Sequence, residues 1–153
     1  MAATHTYQVS ITWTGDRGTG TSDYRSYGRD HDVSTRDGAQ VLLGSADPSF
    51  RGDETRWNPE QLLVASLAQC HMLWFLHLCS DARIVVTAYT DEPTGTMTQT
   101  PDGGGRFTEV ALHPAVTLAD PSRAAELAPL HHRAHELCFI ANSINFPVTV
   151  TPA

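Results

Sequence analysis

Cys70 and Cys138 are the residues of this 153-residue chain best suited to covalent chemistry. A thiolate attacks peroxides, and a second thiol within reach converts the resulting sulfenic acid to a disulfide before further oxidation. If the two meet in the fold, the chain is a two-cysteine redox catalyst. Taken singly, each is as readily a small core residue, since free cysteine is among the most buried residue types. Cys79 follows Cys70 by nine positions, which at about 100° per residue places it on the opposite face of a shared helix. It cannot pair with Cys70 and reads as core filler. His131, His135 and Cys138 fall at i, i+4 and i+7 on one helical face, and His71 adjoins Cys70. Imidazoles at that spacing, with thiolates, are zinc-type donors, but the chain has no Cys-x-x-Cys pair to complete such a site. Arg17 lies in the glycine-rich stretch Thr14-Gly15-Asp16-Arg17-Gly18-Thr19-Gly20. From the residues alone it reads first as a solvated surface residue, and on composition Arg25, Arg29, Arg51 and Arg56 compete with it equally.

The elements that must position these groups follow from pattern. Residues 5–14 alternate polar and apolar with β-branched and aromatic side chains, predicting a half-buried strand. Residues 21–35 and 39–43 read as further short strands, and 44–56 as loop from their Pro, Gly, Asp and Ser content. Asn58-Pro59-Glu60 predicts a helix start: Asn caps free N–H groups, Pro fits the first helical position, and Glu suits the positive end of the dipole. That helix runs to about Cys79 and is apolar nearly all round, which places it in the middle of the protein. Residues 83–99 and 106–118 are strand-like and joined across Pro101–Gly105 as a long hairpin. Asp120-Pro121 opens a second helix, kinked or restarted at Pro129 and continuing to about Asn142. Phe146–Val150 closes the pattern as a strand. The order β-β-β-α-β-β-α-β favours an α+β fold over a doubly wound sheet. One antiparallel sheet cannot cover a helix apolar on every face, so burial against a second subunit is expected.

Composition bounds the function. The length suits a single domain, 1–153, with a real core. Ten arginines and no lysine within a net charge of −7 leave no footprint for nucleic acid or for an anionic membrane surface. Leu62 to Cys79 carries no formal charge and approaches the ~20 residues that span a bilayer. Gln69, His71 and His77 interrupt it and Glu60 sits in its first turn, so it reads as a buried core helix. No basic leader followed by an apolar stretch opens the chain, and three cysteines do not make a secreted disulfide framework, so a cytoplasmic location is expected.

Together these stretches resemble the OsmC-like family, which includes organic hydroperoxide resistance proteins and osmotically inducible peroxidases. Asn58-Pro59-Glu60-Gln61-Leu62, the Ala-rich continuation and Cys70 are similar to its first cysteine motif. Cys138 followed by Ile140-Ala141-Asn142-Ser143 is similar to its second, and Thr14–Gly20 to the turn that carries its arginine. The resemblance implies antiparallel sheets packed on two long central helices in an intertwined homodimer. It also implies a thiol-dependent peroxidase that reduces organic hydroperoxides without a cofactor, regenerated by an external dithiol. Carried over by residue, Cys70 is the attacking thiol, Cys138 the resolving thiol, Arg17 the activating arginine and Glu60 its carboxylate partner. Arg51, in the loop before the helix, competes with Arg17 for that role. His71, the Arg56-Trp57 pair and Phe139 depart from the usual forms and mark a divergent branch. Two other readings keep the same residues: a non-enzymatic OsmC-like dimer binding a small ligand, and a zinc protein using His131, His135 and cysteines.

Overall fold

The computed structural model describes residues 3–153. Met1 and Ala2, which open the stretch read for a leader, lie outside the described residues. The described chain forms two compact units, the first ending at Leu62 and the second Leu63–Ala153.

In the first unit, β1 (Val9–Trp13), β2 (His31–Thr35) and β3 (Val41–Gly44) form an antiparallel sheet in that order. The register sets Ile11 opposite Val33 and Val33 opposite Leu42, so Val9, Ile11, Trp13, Val33 and Leu42 share one face. The alternation expected of the first strand is present, but the burial is not: Val9 is 64%, Ile11 61% and Trp13 45% exposed. Residues 20–27 form turns rather than an extension of β2. The reason is local polar bonding: Asp16 Oδ1 accepts from the amides of Gly18 at 2.8 Å and Gly20 at 2.9 Å, and Ser26 N–H reaches Asp23 O at 3.0 Å. These turns fold back because Gly15 and Gly28 touch backbone to backbone. A Cβ on Gly15 would lie 2.0 Å from the Gly28 carbonyl oxygen, which also accepts the Trp13 indole N–H at 2.9 Å.

The helix α1 (Pro59–Asp81) starts where the sequence predicts and ends two residues past Cys79. Asn58 Oδ1 accepts the Gln61 N–H at 2.8 Å, and Gln61 Oε1 accepts the Asn58 N–H at 3.1 Å, a reciprocal capping box. By length and composition α1 could cross a membrane. Its buried residues form a single stripe instead, Leu67, His71, Phe75 and Cys79, four apart.

In the second unit each strand-like run is cut in two. β4 (Val86–Thr90) pairs with β7 (Ala115–Leu118), while β5 (Thr94–Gln99) pairs with β6 (Gly105–Leu112), which also takes β8 (Val148–Val150) in parallel. The expected hairpin survives only as β5–β6. The cuts fall at Pro93 and Pro114, which donate no ladder hydrogen bond, and Asp91 Oδ1 accepts the His113 N–H at 2.7 Å across the corner. Two apolar clusters flank the buried stripe of α1. Leu67 packs with Val110 and Leu112 at one end, and Phe75 and Cys79 pack with Ile84, Leu118 and Ala134 at the other.

The second helix differs from expectation. A 3-10 turn, Pro121–Glu126, precedes α2 (Leu127–Leu137), which restarts so that Pro129 falls in its first turn, where a missing N–H breaks no bond. At eleven residues α2 is no long central helix, and it stops before Cys138 rather than reaching Asn142.

Candidate active site

The second unit brings Cys70 and Cys138 together. Cys70 is half-buried near the middle of α1, whereas Cys138 is 1% exposed and sits in extended conformation at the C-cap of α2. Both are free thiols, and they lie near enough for Cys70 to help raise the Cys138 thiol. The turn after α2 holds Cys138 in place. Asn142 Nδ2 donates to the carbonyls of Glu136 at 2.9 Å and Cys138 at 3.0 Å, and the Asn142 N–H also donates to Cys138 O at 3.0 Å. The Ala141 N–H points at the Cys138 sulfur at 3.4 Å. An extended cap residue followed by this clamp aims the thiol back toward α1, which a continued helix would not do.

Burial, and then the neighbouring Cys70, push the Cys138 thiol up to about 11, against a smaller opposing pull from the Ala141 N–H. Cys138 therefore keeps its proton at neutral pH and can donate it toward the Cys70 sulfur. Cys79 lies in the Phe75 cluster at 1% exposure, its thiol also pushed up by burial, in agreement with the helical phase that excluded it.

Arg17, Arg51 and Glu60 belong to the first unit. Arg17 is exposed, with its Nη2 lying 3.6 Å from where a Gly28 Cβ would be, so its guanidinium folds back over the Gly15–Gly28 contact. Arg51 is exposed and left-handed (φ 67°), closing the 3-10 turn Pro48–Phe50. Glu60 is half-buried in the first turn of α1. Arg56, which directly precedes Trp57, stands near two carboxylates, Asp30 at 3.8 Å and Asp53 at 3.9 Å. Ser45, wholly buried, links the Asp30 carboxylate to the Asp53 backbone by donating to Asp30 Oδ1 at 3.0 Å while accepting the Asp53 N–H at 3.1 Å.

His131, a donor in the alternative zinc reading, is instead paired with His71. The His71 Nε2 is 3.0 Å from His131 Nδ1, both side chains are buried, and Phe75 stacks on the His131 ring at 3.9 Å. Among the described residues no three His, Cys, Asp or Glu side chains are gathered as a metal would need. The imidazole pair had a sequence signal: His71 follows Leu67 and precedes Phe75 by four residues each, so it lies on the buried stripe and must find a polar partner there. The Asn142 clamp had less, being one of several polar residues beyond the helix.

The family model described as OsmC-like protein matches residues 52–153. Among curated proteins none matches the chain. An OsmC-like protein of unknown function from Vibrio cholerae is 31% identical, with a TM-score of 0.88 over 98% of this chain and 100% of that one. An organic hydroperoxide resistance protein OsmC from Legionella pneumophila is 25% identical, with a TM-score of 0.73 over 99% of each chain. The organic hydroperoxide resistance protein OhrB of Bacillus subtilis, 22% identical with a TM-score of 0.65 over 97% of this chain and 98% of that one, shares the fold.

Proposed function

Taking as premise that this chain belongs to the OsmC-like family, we propose that it is a thiol-dependent peroxidase acting on organic hydroperoxides. The observation that carries this reading is the pairing of two free thiols as neighbours, one half-buried on α1 and one raised by burial and by the other at the end of α2. The hydroperoxide resistance protein of Legionella pneumophila, at 25% identity over nearly the whole of both chains, supports the substrate class.

The cycle balances as follows. The Cys70 thiolate attacks the terminal oxygen of R–O–O–H, the O–O bond breaks, and Cys70 becomes a sulfenic acid while the alkoxide leaves. The alkoxide takes up a proton and departs as the alcohol. Cys138 then attacks the Cys70 sulfur, forming a disulfide and releasing water. An external dithiol reduces that disulfide by exchange and is itself oxidised. Only the thiolate reacts, and a free thiol near pKa ~8.5 is mostly protonated at neutral pH, so an arginine beside Cys70 completes the site. The family resemblance assigns this role to Arg17 and that of its carboxylate partner to Glu60, with Arg51 as the competitor. A second copy of the chain covers the remaining faces of α1.

The test is cumene hydroperoxide-dependent oxidation of a dithiol. Wild type turns over; Cys70→Ser falls to the buffer rate; Cys138→Ser undergoes a single oxidation and accumulates a sulfenic acid that dimedone traps. Wild-type protein that leaves the hydroperoxide untouched while both thiols titrate freely would sink the reading.

A further inference from the structure

We propose that Phe139 is a positioning residue for the resolving step: its ring clasps Trp74 and thereby seats the Cys138 turn on α1 beside Cys70. Its role in turnover rests on the two-thiol reading above, whereas the seating rests on packing alone. Leu67, Cys70 and Trp74 recur at i, i+3 and i+7 and so share one face of α1. The turn after α2 grips α1 on either side of Cys70. On the N-terminal side, Ile140 and Ala141 pack against the apolar cluster that contains Leu67. On the C-terminal side, Phe139 meets Trp74 edge to face, with ring centroids 5.5 Å apart and planes at 74°. His77 braces the Trp74 ring from within α1, at 5.8 Å and 73°.

The turn is tied within itself. Ser143 Oγ donates to Phe139 O at 2.6 Å, the Ser143 N–H to Ile140 O at 3.0 Å and the Asn142 N–H to Cys138 O at 3.0 Å. Among the described residues no backbone hydrogen bond joins this turn to α1, so side chains hold it there. Phe139 directly follows Cys138, and displacement of one carries the other. The two differ sharply in exposure: Cys138 is 1% exposed and Phe139 67%. A phenyl ring this open buries little apolar surface, so the fold has small need of it. What its edge contributes is occupancy of the seated state, in which the two thiols are neighbours. An aromatic pair of this kind is worth roughly two- to tenfold in an equilibrium constant, and that factor passes to the effective concentration of Cys138 at Cys70.

The effective concentration is read by equilibrating the protein with reduced and oxidised glutathione and quantifying the Cys70–Cys138 disulfide. Two electrons and two protons leave the thiols and convert one glutathione disulfide to two glutathiones. Phe139→Ala is expected to lower the value about two- to tenfold, and Phe139→Tyr, which keeps the ring, to retain the wild-type value. Trp74→Leu is expected to give a similar loss, and the double variant Phe139→Ala/Trp74→Leu no more than either alone. A contact that only supports the fold would weaken the reduced and oxidised chains alike and leave the effective concentration unmoved. An unchanged value in Phe139→Ala, or losses that add in the double variant, overturns the proposal. The Phe139 variants decide it even where Trp74→Leu fails to fold. With cumene hydroperoxide, Phe139→Ala is expected to keep its sulfenic acid about two- to tenfold longer than wild type. A wild type that forms the clasp-dependent disulfide yet leaves the hydroperoxide untouched removes the peroxidase reading and keeps the seating; a wild type that forms no disulfide removes both.

Discussion

His71 and His131 are held neutral by burial, each lowered to about 4, with further repulsion on His71 from His131 and His135. In the unfolded chain both protonate near 6.5. The unfolded state therefore binds more protons than the native state between those values, and stability present above pH ~6.5 is lost as pH falls toward 4. For two groups the slope is about 2.7 kcal/mol per pH unit at its steepest. Denaturant titrations at pH 7.5, 6 and 5 are expected to show this decline, and a His71→Leu/His131→Leu double variant to lack it. A wild type whose stability is flat across that window rules it out. The carboxylates lowered by local hydrogen bonds, Asp16, Asp47 and Asp120 among them, act only at more acid pH and do not mask the effect. At this scale the sequence was informative about sulfur and less so about nitrogen. Cys70, Cys79 and Cys138 could be sorted by helical phase and motif. The partnership of His71 with His131 depends on how α2 lies on α1, which no local pattern encodes.

The end of α1 stores strain that one substitution relieves. Arg83 is left-handed (φ 56°), and around it Ile84 N–H bonds Cys79 O at 2.8 Å while Arg83 N–H bonds Ser80 O at 3.0 Å, a Schellman closure with Arg where Gly is usual. Cys79 and Ile84 pack in one cluster, as that motif favours. The Arg83 side chain is exposed, so Arg83→Gly relieves roughly 1 kcal/mol of left-handed strain, less what the freer unfolded chain takes back. A rise of about 1–3 °C in Tm is expected by calorimetry; a lower Tm would show the Arg83 side chain contributing more than the strain costs. The start of α1 was legible because Asn58, Pro59 and Gln61 act within one turn. The strand runs 83–99 and 106–118 were read too long because Pro93 and Pro114 sit inside otherwise continuous β-branched sequence, and each break hands the chain to a different sheet. Pro129 was correctly read as a restart, yet α2 ended early because Cys138 takes an extended cap.

Across the whole chain, apolar surface exceeds what the folded units cover. Leu73 on α1 is 62% exposed and the Val9, Ile11 and Trp13 row on β1 is 45–64% exposed, although the sequence predicts both for burial. Burying such surface between two copies stabilises the pair by about 25 cal/mol per Å² removed from water. A homodimer is the expected state, checked by light scattering after size exclusion. Ile11→Asp and Leu73→Asp are expected to shift the mass toward a monomer, and a monomeric wild type at micromolar concentration would remove the second copy from the proposed site.

The thiol pairing binds chemistry to folding in both directions. A Cys70–Cys138 disulfide would close a loop containing most of the second unit, withdrawing about 4 kcal/mol of conformational freedom from the unfolded chain. By thermodynamic reciprocity, the same amount is what the native fold lends to the disulfide. At 30 mV per 1.4 kcal/mol this makes the couple roughly 90 mV harder to reduce in the folded chain than in the unfolded one. A reductant must then work against the fold as well as against the sulfur–sulfur bond. Any substitution that loosens α1 against the end of α2, however distant from sulfur, makes the oxidised chain easier to recycle and the reduced chain slower to close.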